Sequence, residues 1–151
     1  MNRARLAILE AELPPSARDL VRWVGWRGAM AIIREMPGAR IYSPERGPTW
    51  SPMADARYAR VAELCGERGA DRLYREILGT VFEVPTCRAA IRRARNRALR
   101  AAYDAGAAAE QLCVEFGLSR RAVFYVLKEA DEDYDKSAAR PADIGGQLGL
   151  F

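Results

Sequence analysis

The feature that most constrains the fold is an internal repeat in the first half of the chain. Residues 20–44 align without gaps with residues 61–85 at a constant offset of 41 positions, and eight of the 25 positions are identical. In each copy a helical segment reaches a glycine turn, a second helical segment ends at a glycine, and a short strand ends at a proline. The identities could arise by chance in a chain rich in alanine, arginine and glycine, but the shared order of elements favours duplication.

The strand candidates of the two copies, residues 39–43 and 80–84, are the elements that would join them. An isolated two-stranded ribbon is only marginally stable, so an antiparallel pair of these strands needs the helices packed against it. We therefore predict a mainly α fold in which tandem helix-helix-strand repeats form a small antiparallel β-ribbon core, followed by an Arg-rich helix and a helix-turn-helix. A short helix from Arg3 to Glu12 is expected ahead of this core.

The segment 110–128, EQLCVEFGLSRRAVFYVLK, has the pattern of a helix-turn-helix. Gly117 ends the first helix where a left-handed residue is inexpensive, Leu118 fills the turn, and Ser119 can cap the second helix. The second helix has a buried stripe at the i, i+3, i+4 spacing, formed by Val123, Val126 and Leu127. We expect Phe124, beside this stripe, to pack in the core as well.

Charge is distributed unevenly around this motif. Residues 87–128 contain nine Lys and Arg against three acids, whereas residues 129–151 contain two against six. A basic block of this density repels itself unless phosphates or acids neutralise it. The alternative is a helical hairpin that only packs, but the charge pattern favours double-stranded DNA as the partner.

The candidate DNA-binding residues fall into two groups. Arg120, Arg121 and Tyr125 are candidates for base edges in the major groove, where an arginine can bond guanine bidentately. Contacts to phosphates would add affinity and salt dependence without sequence information. The remaining candidates, mainly for the phosphate backbone, are Ser119, Lys128, Arg92, Arg93, Arg95 and Arg97.

Composition argues against an enzyme. The chain has no histidine, and its three cysteines lack CxxC spacing. The usual general base and the commonest metal ligand are therefore missing, and no nucleophile–base pair is evident. We expect no catalytic residue, no cofactor and no metal. Free thiols, with neither a signal peptide nor a membrane-length apolar run, predict a cytoplasmic protein without a membrane partner.

The segment from Gly79 to residue 128 resembles the Mor family, the middle-operon transcription activators of Mu-like phages. The matching parts are Gly79, the strand TVFEVP at 80–85, the helix RNRALRAAYDAG at 95–106, and the helix-turn-helix at 110–128. The resemblance implies a phage-type activator that works with host RNA polymerase in a bacterial cytoplasm. In that family the strand and its preceding helices form an intertwined dimerisation core.

Three domains follow from these patterns. Residues 1–86 form the duplicated, Mor-like dimerisation-type core, residues 87–128 the helix-turn-helix domain, and residues 129–151 an acidic flexible tail. Because one chain has two core repeats but a single helix-turn-helix, two assemblies stay open: a monomer with a pseudo-dimeric core, and a homodimer.

The last five residues, QLGLF, resemble the peptide by which polymerases and repair proteins bind the bacterial sliding clamp. The resemblance implies an amide contact from Gln147 and apolar anchors at Leu148, Leu150 and Phe151. The alternative is a hydrophobic end that folds back onto the domain. Two functions therefore remain open: a transcription regulator that is tethered to the clamp, and a clamp-binding adaptor or inhibitor of host replication that binds DNA nonspecifically.

A pull-down separates the two interpretations of the terminal peptide. If the peptide binds the clamp, the immobilised protein should retain purified bacterial sliding clamp. Replacing both Leu150 and Phe151 with alanine should abolish this retention, because it removes the apolar anchors. Undiminished retention by the double variant would remove the clamp-binding hypothesis.

Overall fold

The structure is a computed structural model that describes residues 6–44, 51–137 and 147–150. These residues form two compact units. The repeat unit is Glu10–Arg88. The helix-turn-helix unit combines the described residues up to Leu9 with those from Ala89 onward.

Each unit is built from a short series of elements. The repeat unit contains a 3₁₀ turn (Glu10–Glu12), α1 (Pro15–Glu35), β2 (Arg40–Tyr42), α2 (Pro52–Cys65), α3 (Glu67–Glu76) and β3 (Val81–Glu83). The helix-turn-helix unit contains β1 (Ala7–Leu9), α4 (Arg88–Asp104), α5 (Ala109–Phe116), α6 (Arg120–Ser137) and β4 (Gln147–Leu150). The first residue of α4, Arg88, belongs to the repeat unit. The predicted mainly α fold with a small antiparallel ribbon is confirmed.

Both repeats bend at a glycine in the same backbone conformation. Gly25 interrupts α1 with φ 80° and ψ 165°, and Gly66 separates α2 from α3 with φ 81° and ψ 161°. A positive φ of this size disfavours any residue with a Cβ, so both positions favour glycine. Gly25 and Gly66 are equivalent positions in the repeat. The duplicated sequence therefore folds into a duplicated backbone.

The two strands of the repeats form the predicted ribbon. β2 and β3 pair antiparallel, with Ile41 opposite Phe82. These two residues are themselves repeat equivalents, so an approximate twofold axis passes between them. This axis relates the two repeats within a single chain.

Hydrogen bonds at the ends of the ribbon follow the same symmetry. The Gly38 amide donates to the carbonyl oxygen of Val84 at 2.9 Å. Its equivalent, the Gly79 amide, donates to the carbonyl oxygen of Ser43 at 2.7 Å. Gly38 and Gly79 also have matching φ values, 73° and 74°. Each glycine thus turns the chain out of a helix and fixes the register of the other repeat's strand.

The helices of the two repeats approach closely at a third pair of equivalent glycines, Gly28 and Gly69. A Cβ on Gly28 would lie 2.7 Å from the Cβ of Cys65 and 3.3 Å from the side chain of Val24. A Cβ on Gly69 would lie 3.0 Å from the Sγ of Cys65 and 3.6 Å from the Cβ of Val24. Val24 and Cys65 are repeat equivalents, so each glycine faces one residue of its own repeat and one of the other.

The helices cover one face of the ribbon. Ile41 is fully buried, and the rings of Trp23 and Phe82 meet edge-on with centroids 5.5 Å apart. On the opposite face the cross-strand pair Tyr42 and Val81 stays half-exposed. The most buried apolar residues of the surrounding helices include Leu20, Ala29, Ile32, Val61, Ala70 and Leu73. This cover stabilises a ribbon that would be marginal by itself.

Two segments differ from the sequence prediction. In place of the helix expected between Arg3 and Glu12, the described residues form β1 and a 3₁₀ turn, because β1 pairs with the distant β4. Local periodicity cannot detect such a partner. The second difference is that α6 continues to Ser137, although residues from 129 onward are predicted to be a flexible tail. Once a helix is nucleated, each added residue extends it at little cost.

Of two thiols in the repeat unit, Cys87 is buried and Cys65 is half-buried. Burial raises the pKa of Cys87 to about 11 and also raises the pKa of Cys65. Both thiols therefore stay protonated at neutral pH and behave as small apolar groups. Cys65 has this role directly, since it lies against Gly28 and Gly69.

The close approach of the helices predicts the effect of adding one methyl group. Gly28→Ala should lower the free energy of unfolding by about 1–2 kcal/mol, because overlap with the Cβ of Cys65 outweighs the gain in helix propensity. Gly69→Ala is the matched control and should be milder, since its nearest neighbour is the terminal Sγ of Cys65. Chemical denaturation followed by circular dichroism measures both. A Gly28→Ala protein as stable as the unaltered one would contradict this packing.

Candidate nucleic-acid interface

The helix-turn-helix is a three-helix arrangement formed by α4, α5 and α6. Its core consists of one buried residue from α4, one from α5 and two from α6: Leu99, Leu112, Val123 and Val126. Partly buried residues complete this cluster: Ala102, Ala107, Cys113, Phe116, Leu118 and Leu127. The predicted stripe on α6 is thus confirmed, and it holds α6 against the other two helices.

The turn between α5 and α6 has the predicted geometry. Gly117 is left-handed, with φ 64° and ψ 36°. The Leu118 amide donates to the carbonyl oxygen of Cys113 at 3.1 Å, which closes the end of α5. The Ser119 Oγ accepts a hydrogen bond from the Ala122 amide at 3.2 Å and so caps α6. This turn fixes the angle at which α6 leaves α5.

One face of α6 is exposed at its N-terminal end. All three sequence-predicted base-contact residues, Arg120, Arg121 and Tyr125, lie on this exposed surface, and Lys128 follows one turn later. Phe124 joins them with 46% of its surface exposed, so the expectation that it packs in the core is wrong. At about 100° per residue it lies well away from Val123 around the helix, at the edge of the buried stripe.

Arg120 is held by two neighbours. Its Nη1 lies 2.5 Å from the Oε1 of Glu110 on α5, and its guanidinium lies over the Phe124 ring at 5.6 Å from the centroid. The side chains of Arg120 and Glu110 are each 67% exposed, so this ion pair contributes little to stability. Its effect is to orient the guanidinium. Sequence reasoning missed Glu110 because the two residues are ten positions apart and meet only across the turn.

The arginines of α4 divide into exposed and engaged groups. Arg92 and Arg93 are exposed, as phosphate contacts require. Arg95 is half-buried, and its Nε and Nη2 donate to the Oδ1 of Asn96 at 3.2 and 2.9 Å. The Nη2 of Arg97 donates to the carbonyl oxygen of Ala7 at 3.0 Å and so anchors β1 on α4. Of the four predicted residues on α4, Arg92 and Arg93 are the two whose side chains are exposed.

Arg100 has a structural role that its sequence context does not reveal. Its Nε and Nη2 both donate to the carbonyl oxygen of Val126, each at 3.3 Å. The guanidinium therefore ties α4 to the middle of α6 and supports the apolar core between them. In the sequence Arg100 is one of several arginines in a basic helix, and only the position of α6 in space distinguishes it.

The segment that contains the clamp-like peptide is a strand. β4 (Gln147–Leu150) pairs antiparallel with β1, with Ala7 opposite Leu150 and Leu9 opposite Gln147. This is the folded-back arrangement considered as the alternative to clamp binding. Gln147, Leu148 and Leu150 lie on this strand, while Phe151 lies outside the described residues.

Comparisons with protein-family models, curated proteins and solved structures gave no match. The resemblance to the Mor family therefore stays a prediction that rests on its motifs. In the part of the chain that the structure describes, no helix has the length and apolar character needed to cross a membrane.

The bridge from α4 to α6 predicts a difference between two arginines of the same helix. Arg100→Ala should lower the free energy of unfolding by about 1–2 kcal/mol, because it removes a charged hydrogen-bond donor from a half-buried carbonyl. Arg93→Ala, at an exposed position, should change it by less than about 0.5 kcal/mol. Thermal denaturation of both variants checks this, and equal effects would contradict the bridging role of Arg100.

Proposed function

We propose that the protein binds double-stranded DNA and inserts the exposed face of α6 into the major groove. The observation that carries this proposal is the grouping of Arg120, Arg121, Phe124, Tyr125 and Lys128 on one outward face of a capped helix. A structural hairpin has no need for three cations and two aromatics on its solvent side. The major groove is wide enough to admit a helix, and each base pair presents a distinct pattern there.

The proposed contacts divide between bases and backbone. Arg120 and Arg121, near the start of α6, are proposed to contact base edges, because residues in the first turns of a recognition helix enter the groove most deeply. Arg92 and Arg93 on α4 are proposed to bind phosphates, with Lys128. The Ser119 oxygen already accepts the capping bond, so its hydroxyl proton is available for a phosphate.

The proposed stoichiometry is one reading helix per chain. The two repeats of a single chain already pair with each other about an approximate twofold axis, as two subunits of a dimer would. We therefore favour a monomer that binds an asymmetric site over a homodimer on a palindrome. Few base contacts are available to one helix, so affinity should depend strongly on phosphate contacts and on salt.

We further propose that the biological role is regulation of transcription, as a phage-type activator acting with host RNA polymerase in the bacterial cytoplasm. The support is the order of parts: the strand β3 followed by Pro85, then the basic helix α4, then the helix-turn-helix. Regulation requires sequence preference, and the exposed side chains of α6 provide candidate groups for it.

The clamp tether is left outside this proposal. Pairing with β1 occupies the main chain of residues 147–150, whereas capture in a partner's groove needs an available extended peptide. A clamp-binding function would require β4 to leave β1. The pull-down with the Leu150 and Phe151 double variant tests that possibility.

Arginine variants test the division between bases and phosphates. After selection of a preferred site from random DNA, Arg120→Ala and Arg121→Ala should each reduce the preference for that site by roughly tenfold or more, which corresponds to the loss of a bidentate guanine contact. Arg92→Ala and Arg93→Ala should weaken binding to all duplexes alike and reduce the salt slope by about one each.

Gel shifts over a range of salt concentrations measure both quantities. Arg68→Ala, an exposed arginine of the repeat unit, is the control and should change neither. The absence of DNA binding by the unaltered protein would refute the proposal. Binding without any sequence preference would refute its regulatory part.

A further inference from the structure

Glu110, Arg120 and Phe124 form a connected group at the exposed end of α6, here the reading triad. Glu110 contacts the guanidinium of Arg120 at one nitrogen, Nη1, and the Cζ of Arg120 lies over the Phe124 ring, 5.6 Å from its centroid. An arginine on a helix surface is normally free to adopt many rotamers. Here two neighbours from different directions restrict it, on the face that the proposed function assigns to the groove.

We propose that the reading triad recognises a guanine next to a pyrimidine that carries a 5-methyl group. Arg120 bonds the O6 and N7 of the guanine, Phe124 contacts the methyl group, and Glu110 is a positioning residue for Arg120. This inference rests on the proposed function. It deepens that function by naming the base step that α6 prefers.

Donor geometry supports the role of Glu110. A guanidinium has five N–H donors, so a carboxylate that engages Nη1 leaves other donors for the acceptors of guanine. Holding the fork in advance reduces the rotamer freedom lost when it binds a base. The same carboxylate repels the phosphates of every duplex, which lowers overall affinity whatever the sequence. Glu110 therefore increases discrimination more than affinity.

Exposure and spacing support the role of Phe124. Nearly half of its surface is open, so the ring can contact a further group beside Arg120. Successive bases on one strand are about 3.4 Å apart along the axis. The Cζ of Arg120 and the centroid of the Phe124 ring are 5.6 Å apart, so the two side chains can reach neighbouring base pairs. In the major groove, the apolar group within reach of such a ring is the C5-methyl of thymine. Methylated cytosine presents the same group.

The test for Phe124 uses a duplex chosen by selection from random DNA and modified at the pyrimidine next to the essential guanine. For the unaltered protein, replacing thymine by uracil should weaken binding about fourfold, the value of one buried methyl group. 5-Methylcytosine in place of cytosine at the same step should strengthen binding by a similar factor, and the two arms distinguish the two sources of the methyl group. Phe124→Ala should abolish both differences, while Phe124→Leu, which keeps an apolar side chain, should retain part of them.

The test for Glu110 compares two acids of α5. Glu110→Gln should reduce the affinity ratio between guanine and 7-deazaguanine duplexes several-fold, because Arg120 is less well oriented towards N7. Glu115→Gln, an exposed acid on the same helix, removes the same charge and should leave this ratio unchanged. If Glu110 has only a structural role, Glu110→Gln should lower the stability of the protein and leave the affinity ratio unchanged.

The outcomes separate this inference from the proposed function. If no duplex binds, both fail. If a selected duplex binds but shows no methyl dependence, or shows one that persists in Phe124→Ala, the reading triad is wrong and DNA binding stands. If Glu110→Gln and Glu115→Gln change the guanine ratio equally, Glu110 is not a positioning residue.

Discussion

The antiparallel pairing of Ile41 with Phe82 is the interaction on which the repeat unit depends. It joins equivalent residues of the two repeats, and the contacts that the glycines make between the repeats occur in matching pairs. The glycines at 28 and 69 let the helices approach, and the glycines at 38 and 79 return the chain into the ribbon. A single chain thereby achieves the mutual burial that two separate copies would otherwise need to supply.

Much of this arrangement could be predicted because its determinants are local and repeated. A glycine at each bend and a proline after each strand mark the same elements twice, and the constant offset pairs them. The cap at Ser119 and the turn at Gly117 were predictable for the same reason, since both depend on residues within one turn of the chain.

The features that could not be predicted depend on residues that are distant in sequence. Arg97 and Arg100 have similar neighbours to Arg92 and Arg93, yet the first two are occupied by carbonyls of Ala7 and Val126. A count of arginines therefore overestimates the number of guanidinium donors available to a polyanion. A helical projection could have predicted the exposure of Phe124. The pairing of Glu110 with Arg120 could not be predicted without knowing the angle between α5 and α6.

The pairing of β1 with β4 has a consequence for the order of folding. It closes a loop that contains almost every other described residue, and contacts of such long sequence separation form slowly because their loop entropy is lost first. During synthesis the repeat unit leaves the ribosome complete while Ala7–Leu9 still lacks its partner strand. The two units are then expected to fold in succession, with the hydrogen bond from Arg97 to Ala7 able to hold β1 in place before β4 arrives.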